Sequence, residues 1–252
     1  MNGRAVARVQ GSTACWPGLS FSEALARLRT AQEPAWGPIQ AEHVQLCPQN
    51  SGALDEATLA QLQQESPGTQ FRLHANVRIG SRRITWNAAQ AHKPEAQGDF
   101  QRWAALSRWL NAPAYTLHAG RRDQASLPRL WDNIRRLEQW FGCPVGVEGH
   151  YTTPEDAFLL STWAEYALLL EAGVSFVVDL SHLNIVAHQS GGWEPALVRE
   201  LLAHPKCIEI HLSGNDGRQD HHQALRDPPE WAPFLTSANG TAVWFTEGNQ
   251  LR

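Results

Sequence analysis

The chain has 252 residues, 42% of them apolar, and a net charge of -4. It is long enough for a sizeable core, and its acidic balance disfavours a nucleic-acid partner, which would require a basic face. No apolar stretch is long enough to span a bilayer, and the N-terminus lacks a secretory signal pattern. We therefore expect a cytoplasmic protein without membrane contact, whose four cysteines are reduced.

Eight short apolar runs, rich in β-branched and aromatic residues, predict strands. They lie, in chain order, at about 4–9, 39–46, 70–76, 113–119, 143–149, 175–181, 207–213 and 242–248. Helical spacing of apolar residues predicts helices at 20–29, 55–64, 99–110, 127–141, 154–172 and 194–203, and a weak helix at 229–237. Pro154 and Pro195 fit a first helical turn, and Gly142 and Gly173 fit helix C-termini.

The alternation of strand and helix predicts an α/β fold, the (β/α)8 or TIM barrel, as a single domain over residues 1–252. A doubly wound open sheet is the competing fold, but no Gly-x-Gly-x-x-Gly follows the first run. No helical pattern follows the eighth run, so we expect the last outer helix to be missing. A partner subunit in a homo-oligomer, or the N-terminal segment, is expected to cover that wall. The polar connection 80–97 is a candidate lid.

Six of the runs end on a residue that can bind a metal. These residues are His74, His118, Glu148, Asp179, His211 and Glu247. Because the carboxyl ends of barrel strands meet at one mouth, we expect the six side chains to gather there. Two local pairs, Asp179 with His182 and Asp220 with His222, add further ligand atoms. Buried carboxylates without a counter-charge are costly, so the pattern predicts a divalent cation.

Two segments resemble the xylose-isomerase-like TIM-barrel superfamily, which includes sugar phosphate isomerases, epimerases and endonuclease IV. Val-Asp-Leu-Ser-His-Leu-Asn-Ile at 178–185 looks like the Asp-x-x-His-x-Asn-Ile segment of ketose 3-epimerases. Ile-His-Leu-Ser-Gly-Asn-Asp-Gly-Arg-Gln-Asp-His-His at 210–222 looks like the His-x-x-x-Asn-Asp-Gly stretch of sugar phosphate isomerase relatives. The resemblance covers about residues 39 to 249.

The resemblance implies a set of site residues. Glu148, Asp179, His211 and Glu247 would hold one divalent cation, often manganese, with iron, zinc or cobalt as alternatives. Glu148 and Glu247 would also act as catalytic acid and base, and His182 would touch a substrate oxygen. His74, His118, His182, Asp220 and His222 are possible additional ligands, which raises the expected number of ions to between one and three. We expect His150 and Asn184 to lie just outside the ligands.

The leading hypothesis is therefore an isomerase or epimerase that acts on a small sugar, polyol or keto acid by metal-assisted proton transfer. The full ligand set also resembles multinuclear non-heme iron oxidative enzymes, and Asp-Pro-Pro-Glu-Trp at 227–231 fits that group. An oxidative enzyme modifying a peptide or a small molecule is the second hypothesis. An endonuclease IV-like abasic-site nuclease is the third, and a metal-storing or ligand-binding barrel is the non-enzymatic alternative.

Overall fold

The computed structural model describes residues 9–80 and 84–251. Eight parallel strands form a nearly closed barrel, so the predicted TIM-barrel fold is confirmed. We number them β1 Gln10–Ser12, β2 Gln40–Leu46, β3 Gln70–Leu73, β4 Tyr115–His118, β5 Val145–Glu148, β6 Phe176–Asp179, β7 Cys207–Leu212 and β8 Val243–Thr246. Their order is β3-β2-β1-β8-β7-β6-β5-β4, and a parallel bridge between His74 and Thr116 joins the two ends. All carboxyl ends therefore lie at one rim.

Seven α-helices of the described residues surround this barrel. They are α1 Phe21–Leu28, α2 Glu56–Glu65, α3 Pro94–Trp109, α4 Leu127–Phe141, α5 Trp163–Ala172, α6 Leu180–Ser190 and α7 Pro195–Ala203. The predicted signals explain several ends: Ser20 and Glu23 form a capping box before α1. Gly142 ends α4 in the left-handed conformation, with φ +71°. None of the helices in the described ranges is long and apolar enough to cross a membrane.

Aromatic side chains fill the layer between the helices and the strands. Trp103 of α3 is fully buried, and its Nε1 donates a hydrogen bond of 2.8 Å to the carbonyl oxygen of Val77. Tyr115 of β4 stacks on Phe141 of α4 with ring centroids 4.1 Å apart. The barrel interior is different, because several polar side chains lie there beneath the rim.

Residues 4–8 of the predicted first strand lie outside the described ranges, and the first described strand is Gln10–Ser12. Two further predicted elements, the helix 154–172 and the strand 175–181, are wrong at their boundaries. Residues 154–162 are irregular, and α5 begins at Trp163 because the Thr162 hydroxyl accepts a hydrogen bond from the backbone of Glu165. Pro154 therefore lies in a turn and not in a helix. The predicted strand 175–181 ends at Asp179, whose carboxylate caps the unpredicted helix α6.

The second half of the predicted lid, the connection 80–97, is regular and buried. Residues 88–90 form a 3₁₀ turn, and α3 begins at Pro94, earlier than the predicted residue 99. Ala88, Ala89 and Ala91 are fully buried. This half of the connection belongs to the packed wall, because a mobile cover would not bury its alanines. Residues 81–83 lie outside the described ranges.

The barrel wall beside β8 is covered by a hairpin of the chain itself. Residues 247–251 contain no helix, as predicted, and two short strands at 32–33 and 37–38 lie against this wall. The buried Glu33 accepts hydrogen bonds from Thr246 Oγ1 at 2.6 Å and from Gln250 Nε2 at 3.2 Å. Trp36 stacks on Trp231 with centroids 6.4 Å apart. The hairpin takes the position expected for a partner subunit or the N-terminal segment, and a homo-oligomer stays a prediction.

Candidate metal centre

Four predicted ligands converge at the rim of the barrel. Glu148 and Asp179 end β5 and β6, His211 lies near the end of β7, and Glu247 follows β8. Strand register places Asp179 beside His211 and His211 beside Phe245. His211 Nδ1 is 3.4 Å from Glu148 Oε2 and 3.7 Å from Glu247 Oε1. All four side chains are buried, so residues far apart in the chain share one dry site.

Glu148 also faces two of the additional histidines. Its Oε2 is 3.6 Å from His74 Nε2, and its Oε1 is 3.9 Å from His118 Nε2. The rings of His74 and His118 meet edge to face, with centroids 5.3 Å apart. His74 is buried, whereas the His118 side chain is 38% exposed and reaches the open mouth. Glu148 is therefore the carboxylate around which this side of the centre is arranged.

The remaining predicted ligands lie on the other side of Glu148. Nε2 of His182 is 3.2 Å from Asp220 Oδ2, and Nε2 of His222 is 3.0 Å from the same oxygen. Nδ1 of His222 is 3.8 Å from Glu247 Oε2. The backbone of His222 has a φ of +44°, a conformation that residues other than glycine rarely adopt and that persists where surrounding structure enforces it. The structure brings all nine predicted ligand residues into one cluster.

Buried polar atoms in this cluster lack partners. Within residues 9–80 and 84–251, no hydrogen-bond partner is found for Glu148 Oε2, Asp179 Oδ2, His211 Nδ1, Asp220 Oδ1 or Glu247 Oε1. Such atoms cost free energy unless something satisfies them. Three overlapping groups have ligand atoms within 4.8 Å of one another: His74 with Glu148 and His211, Glu148 with Asp179 and His182, and Asp179 with His211 and Glu247. Imidazole nitrogens with carboxylate oxygens suit zinc, manganese, iron or cobalt, so the residues fit divalent cations.

In the second of these groups, His182 cannot bind a cation through Nδ1. Nδ1 of His182 lies 2.9 Å from the carbonyl oxygen of Gly149, which can only accept a hydrogen bond. Nδ1 therefore carries a proton and is not a ligand atom. The nitrogen of His182 that can bind a cation is Nε2, which faces Asp220. His182, Asp220 and His222 are thus the natural ligand group on this side.

Charge in the centre is balanced by protons on histidines. Burial lowers the pKa of His211, but the carboxylates of Glu247 and Glu148 outweigh it and hold the pKa well above its usual value. Burial also lowers the pKa of His182, and Asp179 and its other carboxylate neighbours raise it well above the usual value. These imidazolium rings neutralise buried carboxylates in the metal-free protein.

The pKa values of His222 and His74 shift in opposite directions, and the pKa of Glu247 is raised. Burial lowers the pKa of His222, but its hydrogen bond to Asp220 reverses the effect and raises the pKa to about 9. Burial lowers the pKa of His74 to about 3, so this ring is neutral. Burial raises the pKa of Glu247 to about 7 despite the opposing effect of His211. A divalent cation that binds here must displace protons from the charged rings.

His150 and Asn184 lie beside the ligands in different ways. The His150 ring stacks on His182 with centroids 5.0 Å apart and on Phe158 at 4.0 Å. Asn184 Nδ2 donates a 2.8 Å hydrogen bond to Asn215 Oδ1, at the start of the loop that carries Asp220. His150 therefore supports a ligand ring directly, and Asn184 acts only through the loop.

The sequence interpretation missed three polar residues inside the barrel. Gln45, Arg72 and Glu209 are buried below the ligands. A signal for two of them existed, because Arg72 precedes His74 by two residues and Glu209 precedes His211 by two. Alternate residues of a strand share a face, so a charged residue two positions before a ligand points to the barrel interior.

A cavity of about 430 Å³ opens beside the cluster. Its lining includes His118, Asn50, Asn76, Arg78 and Thr85. His118 is the candidate ligand in this lining, and its Nε2 also lies 3.9 Å from Glu148 Oε1. Amide, hydroxyl and guanidinium groups in the wall suit a small polar molecule.

Neither a protein-family model nor a curated protein matches the sequence. Solved structures do share the fold. A xylose isomerase domain protein from Salmonella typhimurium has a TM-score of 0.66 and 16% identity, covering 100% of this chain and 92% of that chain. A D-allulose 3-epimerase from Methylomonas, in complex with D-allulose, has a TM-score of 0.62 and 15% identity, covering 96% and 84%. A family 2 AP endonuclease from Brucella melitensis has a TM-score of 0.57 and 15% identity, covering 95% and 92%.

These similarities show that the chain has the fold of xylose-isomerase-like TIM-barrel proteins, as the sequence motifs predicted. Isomerase-like proteins, epimerases and endonucleases all have this fold. The fold alone does not identify a reaction, which must be argued from the residues at the rim.

Proposed function

We propose that the protein is a divalent-metal-dependent isomerase or epimerase that acts on a small sugar, polyol or keto acid by proton transfer. One observation supports this proposal most strongly. Glu148 and Glu247 approach the same nitrogen of His211 from different strands, and each has a buried oxygen without a hydrogen-bond partner among the described residues. Strands β6 and β7 separate the two carboxylates, so they flank the site.

The four residues Glu148, Asp179, His211 and Glu247 would hold the cation. A bound divalent cation would polarise a substrate carbonyl and make the neighbouring C–H more acidic. One of the two glutamates then removes that proton, and the other returns a proton to the opposite face or to the neighbouring carbon. His182 would donate a hydrogen bond to a substrate oxygen from Nε2, the nitrogen that faces Asp220.

The cavity beside His118 supports a small polar substrate. Its volume of about 430 Å³ suits a single sugar or a sugar acid. Arg78 and Asn76 of its wall offer hydrogen bonds to hydroxyl or carboxylate groups. An epimerase with this fold binds D-allulose, which makes ketoses the first compounds to test.

Solvent deuterium exchange tests the proposal. Protein loaded with manganese or cobalt is incubated in heavy water with a panel of ketoses, polyols and keto acids. We expect deuterium at a carbon next to the carbonyl of one substrate, and loss of exchange in Glu148→Gln and Glu247→Gln. Glu171→Gln is the matched control, because Glu171 is exposed and lies in α5, away from the rim. Turnover without deuterium at carbon contradicts the proposal.

A multinuclear iron enzyme that oxidises a peptide or a small molecule is the second candidate. The observation in its favour is the presence of five ligand residues beyond the set of four, all within the same cluster. His74 and His118 face Glu148, and His182 and His222 flank Asp220. Metal analysis of protein purified without oxygen separates the two candidates. Two or more irons per chain, with oxygen consumption by the loaded protein, favour the oxidative enzyme.

A further inference from the structure

A buried polar layer beneath the cluster is built around one carboxylate. Glu209 lies in β7 two residues before His211, so both side chains point to the barrel interior. Its Oε1 is 2.6 Å from Nη1 of Arg72 on β3, and both side chains are buried. Arginine stays charged in proteins, so this contact holds Glu209 as a carboxylate that only accepts hydrogen bonds.

The second oxygen of Glu209 contacts a candidate metal ligand. Oε2 lies 3.0 Å from Nε2 of His211 and accepts a 3.0 Å hydrogen bond from Nε2 of Gln45, which itself lies 3.1 Å from Nε2 of His211. Because the carboxylate only accepts, Nε2 of His211 carries a proton. In the neutral ring Nδ1 then offers its lone pair, and it is the nitrogen 3.4 Å from Glu148 and 3.7 Å from Glu247. Glu209 thus selects the nitrogen of His211 that faces the other ligands.

The same oxygen reaches a second ligand through a hydroxyl group. Thr116 Oγ1 lies 3.2 Å from Glu209 Oε2 and 2.9 Å from Nδ1 of His74. A hydroxyl has one proton, which is donated to the carboxylate, so His74 must donate from Nδ1. Nε2 of His74 then offers its lone pair, 3.6 Å from Glu148 Oε2. Hydrogen bonds therefore run from His74 to Thr116 and from Thr116 to Glu209.

We propose that Glu209 is a positioning residue that sets the proton positions of two candidate ligands, His211 directly and His74 through Thr116. This inference rests on the candidate metal centre and not on the reaction class. It explains why one ring presents Nδ1 and the other Nε2 to the same oxygen of Glu148. A purely structural ion pair with Arg72 would stabilise the barrel without setting the tautomer of His74.

Nitrogen-15 NMR of histidine side chains in the metal-free protein tests this role. His74 suits the measurement, because its ring is buried and its Nδ1 faces the hydroxyl of Thr116 at 2.9 Å. We expect the Nδ1–H tautomer in the wild type. In Glu209→Gln the amide oxygen turns to Arg72 and its NH₂ group donates to Thr116, so the hydroxyl proton turns to His74. The ring should then change to the Nε2–H tautomer.

Substitutions at Thr116 test the relay without touching the carboxylate. Thr116→Val has nearly the same shape but neither donates nor accepts, so His74 should lose its fixed tautomer. Thr116→Ser keeps the hydroxyl and should keep the Nδ1–H tautomer. This pair decides the question even where Glu209→Gln fails to fold, because the hydroxyl is the only difference in hydrogen-bonding capacity.

A second readout is zinc affinity, measured by competition with a chromophoric chelator. Loss of a group that orients metal-binding histidines typically weakens affinity about 10- to 100-fold, which we expect for Glu209→Gln. Thr116→Val should have a smaller effect, because it leaves His211 oriented. Glu33→Gln is the matched control: Glu33 is another buried glutamate that accepts a hydrogen bond from a threonine, Thr246, on the outside of the barrel. It should change neither the His74 tautomer nor zinc affinity.

The outcomes separate this inference from the proposed reaction. An unchanged His74 tautomer in Thr116→Val, or in folded Glu209→Gln, overturns the positioning role. Equal zinc affinities of the wild type and Glu209→Gln would also overturn the positioning role. The expected tautomers and affinities together with no deuterium exchange on any substrate leave the positioning role standing and remove the isomerase proposal.

Discussion

Replacement of Glu148 by glutamine removes the carboxylate at the centre of the cluster while keeping its shape. Its oxygens lie 3.4 Å from Nδ1 of His182 and 3.4 Å from Nδ1 of His211, and both rings have a pKa raised well above the usual value. Loss of one partner of a buried ion pair typically costs about 3–5 kcal/mol. For a domain of this size, that corresponds to a fall in melting temperature of roughly 10 °C.

The sign of the pH dependence follows from the raised pKa values. A histidine whose pKa is raised by folding contributes stability that is fully present below its unfolded pKa of about 6.5 and is lost as the pH rises through the folded value. The effect of Glu148→Gln should therefore be largest near pH 6. It should shrink at alkaline pH, as the pH rises through the raised pKa values of the two rings, because Glu148 then faces neutral rings and is itself a buried charge without a partner.

Thermal unfolding of metal-free protein, with a chelator present, measures this difference at both pH values. Glu171→Gln should have the melting temperature of the wild type at both pH values, because Glu171 is exposed. Glu148→Gln should also bind less divalent metal per chain, since Glu148 shares a ligand group with His74 and His211. Equal destabilisation at pH 6 and at alkaline pH, or none at pH 6, would refute the charge balance described for the centre.

Zinc binding near pH 7 should release protons, because His222, with a pKa of about 9, must lose its proton to become a ligand. Calorimetry in two buffers of different ionisation enthalpy measures the number of protons released. A zinc affinity that does not rise between pH 6 and pH 9 contradicts this prediction. Gly149→Ala should lower the melting temperature, because the new Cβ would lie 2.3 Å from the Tyr166 hydroxyl oxygen. Such overpacking costs about 1–3 kcal/mol of stability. An unchanged melting temperature would show that the Tyr166 side chain moves aside without cost. Trp103→Ala should lower the free energy of unfolding, measured by chemical denaturation, by about 3–5 kcal/mol, because packing and the hydrogen bond to Val77 are lost. A decrease below about 1 kcal/mol would mean that the side chain is not a core residue.

The sequence determined the barrel and six candidate ligands at its rim. Buried parallel strands are continuous apolar runs, and the residue that ends such a run leaves the sheet at the carboxyl edge. His74, His118, Glu148, Asp179 and Glu247 follow this pattern, and strand direction alone places their side chains at one mouth. The two Asp/His pairs could also be predicted, because their close spacing in the chain limits the distance between the two side chains.

Other features depended on contacts that no local pattern encodes. Arg72 and Glu209 are 137 residues apart, and their pairing follows from closure of the barrel and from strand register. The carboxylate of Asp179 satisfies backbone donors at the start of α6, so a candidate ligand also begins a helix that apolar spacing did not indicate. Similarly, Glu33 covers the wall beside β8 only because the hairpin folds back onto Thr246.

Which nitrogen of each histidine faces the ligands was likewise decided by tertiary structure. The residue type supplies two chemically similar ring nitrogens, and the group on the far side of the ring selects between them. That group is Gly149 for His182, Thr116 for His74 and Glu209 for His211. Periodicity determines which face of a strand a side chain occupies. Only the packed barrel determines the neighbours across its interior, because strands distant in the chain supply them.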